Sequence, residues 1–219
     1  MMKQILTIII AIAALSIHAG EKPGELLKAF REKTMKVHDY KAKVNIKVEV
    51  DFVKIKDRKA VVLYERPDTF KFSAGGFVLL PKKGVDMEYL SILQDDYTAL
   101  DAGTETIRDK TVRVIKVIPA NDDQDLVLAK MFIHEESLRI YRMESFTKES
   151  GTYEVNFFYA DHPYDLPDKL KVSFDIKNQK LPVSLTGDME AIGKELDKEK
   201  ARGSVTLNYS NYEVNRKVK

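Results

Sequence analysis

The chain has 219 residues, with 36 basic and 34 acidic side chains and neither cysteine nor tryptophan. A net charge of +2 excludes a nucleic-acid binder that works through bulk electrostatics, which needs a basic excess. The missing cysteine excludes a disulfide framework, thiolate metal sites and an acylated lipoprotein cysteine, and 44% hydrophobic residues exclude a disordered tail.

Lys3 precedes an apolar run from Ile5 to Ile17 that is broken only by Thr7 and Ser16, and Ala19-Gly20 then gives way to polar Glu21-Lys22. That order predicts a secretory signal peptide over 1–19, cleaved after Ala19. The run is shorter than the roughly 20 residues a permanent membrane helix needs. Residues 20–219 then read as one exported domain, large enough to bury a core without disulfides. No linker, repeat or charge block divides it.

Pro23 opens an amphipathic helix over 23–37, with Leu26, Leu27, Phe30 and Val37 forming an approximate stripe. The strongest pattern follows. Tyr40, Ala42, Val44, Ile46, Val48, Val50 and Phe52 alternate with polar residues, which predicts a half-buried strand of about 13 residues, roughly 43 Å long. Ordinary strands run about 5–6 residues, so this one belongs to a strongly curved sheet or barrel. Further strands are expected at Ala60–Glu65, Thr69–Ala74, with Phe70 and Phe72 on one face, and Phe77–Leu80. Residues 85–94 read as a short helix. Strands resume at Tyr97–Ile107 and Thr111–Ile118, the latter apolar on both faces, then at Val127–His134, Leu138–Phe146 and Thr152–Tyr159. Leu170–Ile176, Leu181–Leu185 and Gly203–Val214 complete the series, with a helix expected over 189–200. The fold class is mainly β (α+β): roughly ten antiparallel strands whose edges closure or helices must cover.

Catalytic signatures are absent from this sequence. It lacks a G-x-S-x-G elbow, an H-E-x-x-H pair, a Walker loop and a glycine-rich dinucleotide turn. His18, His38, His134 and His162 are scattered without ligand spacing, and the acidic stretch Asn121–Asp125 lacks the turn glycine and distal glutamate of a calcium loop. The pairs Asp95-Asp96 and Glu135-Glu136 would point to opposite faces of a strand. The expectation is a non-enzyme with no catalytic residue, no metal and no cofactor. Its apolar residues form either a filled core or the lining of a cavity.

Several segments resemble the LolA/LolB-like envelope proteins. They are Asp39-Tyr40-Lys41-Ala42 opening the long strand, and Tyr64-Glu65-Arg66-Pro67-Asp68-Thr69-Phe70-Lys71, which is similar to the family's Arg-Pro-x-x-Phe segment. Tyr97–Val117 and the Phe146–Tyr153 hairpin are similar to the periplasmic sensor domains of MucB/RseB type. The resemblance implies an incomplete, strongly curved barrel of antiparallel strands with helices covering or plugging its concave side. It implies a periplasmic, monomeric carrier of lipoprotein or lipid acyl chains, served by an inner-membrane exporter or outer-membrane acceptor. The alternative it implies is an envelope sensor or scaffold acting through protein contacts. Tyr40, Val44, Ile46, Val48, Tyr64, Phe70 and Phe72 are then the candidate acyl-chain liners, with plain core packing as the other reading of each. Arg66 matches the arginine that the family links to ligand handling, and its other reading is a strand-end arginine on a solvated edge.

Overall fold

A computed structural model describes residues 22–50, 53–54, 56–66, 69–74, 92–93, 96–121, 125–149, 151–161, 163, 165–177 and 200–216. The expected signal peptide, the strands at Phe77–Leu80 and Leu181–Leu185, and the helices over 85–94 and 189–200 lie outside these residues, except for Ile92, Leu93 and Lys200. One helix, α1 (Pro23–Thr34), precedes eleven strands: β1 (Asp39–Val50), β2 (Val53–Lys54), β3 (Arg58–Glu65), β4 (Thr69–Ala74), β5 (Tyr97–Ile107), β6 (Lys110–Pro119), β7 (Leu126–His134), β8 (Arg139–Thr147), β9 (Thr152–Phe158), β10 (Lys169–Lys177) and β11 (Lys200–Val214).

All the strands belong to one antiparallel sheet in the order β4-β3-β1-β11-β10-β9-β8-β7-β6-β5, with the two-residue β2 pairing β1 beside this path. Among the described residues the sheet is open, because β4 pairs only with β3 and β5 only with β6. Its arrangement is that of an open half-barrel, mainly β, as expected.

Period-two alternation carries the apolar residues of each strand to one face. Ile46 lies opposite Leu207, Val48 opposite Val205 and Val44 opposite Tyr209. On the next strands Val155 lies opposite Val172, and Leu170 opposite Phe157. These residues form one continuous core, which Leu26, Leu27 and Phe30 of α1 join from above, each at most 3% exposed. The face they share is called inner below.

Three expectations need correction. The first helix ends at Thr34 rather than 37, because Met35 and Lys36 already turn toward β1. β1 runs to Val50, which pairs with Val53, and the expected strand end at Asp51-Phe52 lies outside the described residues. β9 ends at Phe158, one residue before the expected Tyr159. Lys200, assigned to the end of a helix by its charged neighbourhood, is the first residue of β11 and pairs with Lys177.

The two-sided apolar character of β6 has a structural cause. Ile115 and Val117 belong to the inner core, whereas Val112 and Val114 join Ile107, Phe132 and half-buried Tyr141 in a small second cluster on the outer face. Cations roof this cluster: the Arg142 guanidinium lies 3.9 Å from the Phe132 ring centre, and Arg108 lies 5.1 Å from that of Tyr141 and 4.1 Å from that of Phe158. Such stacking stabilises by about 0.5–1 kcal/mol each at exposed sites.

Gly203 sits where β11 meets Val50 of β1 and Phe174 of β10. A Cβ there would come within 2.7 Å of the Phe174 ring and 2.9 Å of the Glu49 carbonyl oxygen. Glycine normally weakens a strand, so alanine would help on backbone entropy alone. Here the steric term wins, because the Glu49 contact is backbone and cannot swing aside. Gly203→Ala is expected to lower stability by about 1–3 kcal/mol in urea unfolding; a variant as stable as the parent would disprove this packing.

Candidate functional site

Seven of the eight residues singled out from the sequence lie on the inner face. Tyr40, Val44, Ile46 and Val48 of β1 and Tyr64 of β3 are buried, between 1% and 6% exposed. Phe70 and Phe72 of the edge strand β4 pack against the same core and are only half-buried. Register brings the aromatic members into a line: Tyr40 lies opposite Tyr64, which lies opposite Phe70, while Phe72 lies opposite Val62.

The result is a strip of rings running in from the sheet edge. Ring centres are 5.0 Å apart for Phe72 and Phe70, 6.4 Å for Phe70 and Tyr64, and 5.2 Å for Tyr64 and Tyr40. Two residues that sequence reasoning missed extend it: Tyr212 lies 5.5 Å from Tyr40, edge-on, and Tyr209 stacks on Tyr212 at 5.9 Å. Spacings of 4.5–7 Å are those at which aromatic pairs attract. Tyr209 and Tyr212 are three residues apart, so strict alternation would send them to opposite faces. A bulge corrects the phase: Lys43 pairs with Ser210 and Lys41 with Glu213, so two residues of β11 oppose Ala42. Asn211 absorbs the turn at φ 55, a conformation that asparagine tolerates. Burial pushes the Tyr64 phenol above its ordinary range, against the nearby charge of Arg66.

Arg66 stands apart from this lining. Its guanidinium donates to the Met35 carbonyl at the end of α1 and lies 3.5 Å from His38 Nδ1, while its backbone N–H donates to the His38 carbonyl at 3.0 Å. A cation at a helix C-terminus satisfies an orphan carbonyl and complements the dipole. Asn215, just past β11, grips the same turn: its side chain accepts from His38 N–H at 2.7 Å and donates to the Lys36 carbonyl at 2.9 Å. Within the last turn of α1, Lys33 donates to the Ser137 carbonyl and pairs with Asp165 at 2.7 Å, and Arg139 pairs with the other Asp165 oxygen at 2.8 Å. Partial burial pushes the Asp165 carboxyl up, but hydrogen bonds and charge from Lys33 and Arg139 outweigh it and hold the group below its ordinary range.

Among the described residues no group of three or more His, Asp or Glu side chains could hold a metal ion. No described helix is long and apolar enough to cross a membrane. The stretch at 122–124 within the acidic loop lies outside the described residues.

Solved structures share this backbone path. A putative outer membrane lipoprotein-sorting protein domain from Vibrio parahaemolyticus superposes with a TM-score of 0.53 at 10% identity, over 90% of this chain and 94% of that one. A LolA superfamily protein from Nitrosomonas europaea gives 0.52 at 10% identity, over 91% and 96%. This chain has a LolA-like fold. A DUF1329 family protein from Desulfovibrio piger matches it too, with a TM-score of 0.57 at 9% identity over 91% of this chain and 96% of that one. No protein-family model matches the sequence, and no curated protein is similar to it. The LolA-like likeness is therefore one of backbone path, with nine residues in ten free to differ.

Two outcomes follow for the helix anchor of this LolA-like sheet. Arg66→Ala is expected to leave the strip intact and destabilise α1 by about 1 kcal/mol, seen as faster amide exchange over residues 26–36; unchanged exchange there would disprove the anchor. Asp165 has a folded pKa below its unfolded one, so its contribution is present above the ordinary carboxylate range and is lost as pH falls through the lowered value. Protection factors over α1, taken relative to intrinsic exchange at each pH, should accordingly fall in acid, and Asp165→Asn should remove most of that pH dependence.

Proposed function

We propose that this chain is a periplasmic carrier or binding protein that holds lipid or lipoprotein acyl chains against the inner face of its half-barrel. In this reading residues 1–19 are a signal peptide and 20–219 form one LolA-like domain. The lining is Tyr40, Val44, Ile46, Val48, Tyr64, Phe70 and Phe72, with Arg66 anchoring the helix beside it.

The observation that carries the reading is the aromatic strip and the way it ends. Tyr64, Tyr40 and Tyr209 are buried, but Phe70 and Phe72 stay half-buried on β4, a strand with no partner on its far side among the described residues. An apolar ligand entering at this edge removes ring surface from water at once and meets more apolar side chains further in. Each methylene buried contributes about 0.8 kcal/mol, so a long acyl chain gains on the order of 10 kcal/mol before the cost of ordering it. The fold neighbours support a carrier or binding role, and one of them is described as a lipoprotein-sorting domain.

Mass spectrometry of lipid extracted from protein purified out of its native envelope tests this directly, together with uptake of a fluorescent fatty acid. Phe72→Glu is expected to weaken uptake by about tenfold or more while the protein still folds, because that ring is half-buried at an edge. Ile46→Glu, at a side chain 1% exposed in the middle of β1, is expected to unfold the protein by burying an unpaired charge. Absence of co-purified lipid combined with no probe uptake would sink the proposal.

A further inference from the structure

The outer face of the sheet is not uniform in charge. On β7 and β8 two outer-face cations are paired with carboxylates: Lys130 with Glu144 at 3.0 Å and Arg142 with Glu105 at 2.7 Å. Across β4, β3, β1, β11 and β10 the pattern changes. Lys71 of β4, Lys59 of β3, Lys41 and Lys43 of β1, and Lys169 and Lys171 of β10 all point away from the inner core, and among the described residues none of them has a carboxylate at ion-pair distance.

Register places these six lysines on one grid. Lys71, Leu63, Lys41 and Glu213 form one row across the strands, and Ser73, Val61, Lys43 and Ser210 the next. The third row runs Lys59, Asn45, Asn208, Lys169, and the fourth runs Lys47, Thr206, Lys171. Four strand spacings by six residues make a patch roughly 20 Å on a side. Its acidic members stand at the margins, Glu213 with Asp39 and Glu65 at one end and Glu49 at the other; Glu49 is already held low by a hydrogen bond and charge from Lys47, with a smaller effect from Lys171.

Such a patch has a cost. Like charges two residues apart on a strand lie about 7 Å from one another, within a Debye length at physiological salt. The same chain sets Lys130 of β7 opposite Glu144 of β8, so it had the means to avoid this repulsion. Between the lysines stand Asn45, Asn208, Ser210 and Thr206, with half-buried Val61 and Leu63 of β3, and among the described residues these rows hold no aromatic or arginine side chain of the kind that anchors a protein partner. Lysine also differs from arginine in being a mobile point charge, suited to lipid phosphates whose positions are not fixed.

We infer that the outer face of β4-β3-β1-β11-β10 is a docking surface for an anionic phospholipid bilayer, contacting it through lysines and without insertion. The protein then lies flat on the membrane with its outer face down, whatever its inner face holds. Because the contact is electrostatic, it is reversible and salt-sensitive.

The test is co-sedimentation of the full-length protein, without its first 19 residues, with vesicles of phosphatidylglycerol and phosphatidylcholine in equal parts or of phosphatidylcholine alone. Binding is expected to the anionic vesicles only, and to vanish as salt rises from about 0.05 M to about 0.5 M. The pair Lys43→Glu with Lys171→Glu is expected to weaken binding by about thirtyfold or more. The pair Lys28→Glu with Lys110→Glu has the same net charge but lies off the patch, and should bind nearly as well as the parent. Equal losses from both pairs would overturn the inference by showing that net charge alone acts. No binding to anionic vesicles would overturn it too, as would retention on immobilised polyglutamate without vesicle binding, which would point to an acidic protein partner. Circular dichroism of each variant shows that the sheet is retained, and fatty-acid uptake by the same variants reads the inner face separately.

Discussion

The pairing of β1 with β11 holds the molecule together. Without it the sheet falls into two pieces, β4-β3-β1 on one side and β11-β10 through β5 on the other, because among the described strands no other ladder joins them. Ten pairs from Tyr40–Val214 to Val50–Gly203 form this ladder, and their partners lie more than 150 residues apart in sequence. Closing so long a loop costs entropy that grows only slowly with length, so the ladder is affordable once the apolar face is buried with it. The inner-face side chains of both strands supply that burial: Val44, Ile46 and Val48 against Tyr209, Leu207 and Val205.

The same ladder decides where the aromatic strip and the basic face can exist. The strip reaches Tyr212 and Tyr209 only because β11 lies beside β1, and its phase depends on the bulge at Asn211. On the opposite side, β11 contributes Asn208, Ser210 and Thr206 as uncharged spacers between the lysines of β1 and those of β10. Had β10 paired with β1 directly, two rows of lysine would have faced each other across about 5 Å. One strand therefore assembles an apolar strip on one face and spaces a cationic patch on the other.

Much of this was legible in the sequence because alternation is a local signal. β5 runs over Tyr97–Ile107 as its pattern implies, and the seven apolar candidates share a face because each follows the same period as its strand. What was not legible depends on distant partners. Nothing near Lys200 announces that it pairs with Lys177, and the charged stretch before it reads as helix. Tyr212 looked out of phase until the bulge restored it. Arg66 read either as a ligand residue or as a solvated strand end. Its bond to the Met35 carbonyl is a third role that no local pattern encodes, because the helix end it holds lies 31 residues away. The apolar back of β6 was visible, but its reason, a small cluster shared with Phe132 and Tyr141, came from strands whose neighbours the sequence did not reveal.

The central position of β11 has a consequence for how the molecule is made. A ribosome releases β1 early and β11 late, so the ladder that joins the two halves has no second strand until nearly all of the described chain has been synthesised. Until then β1 and β10 each carry a long bare edge, and the growing polypeptide has no finished sheet to fold into.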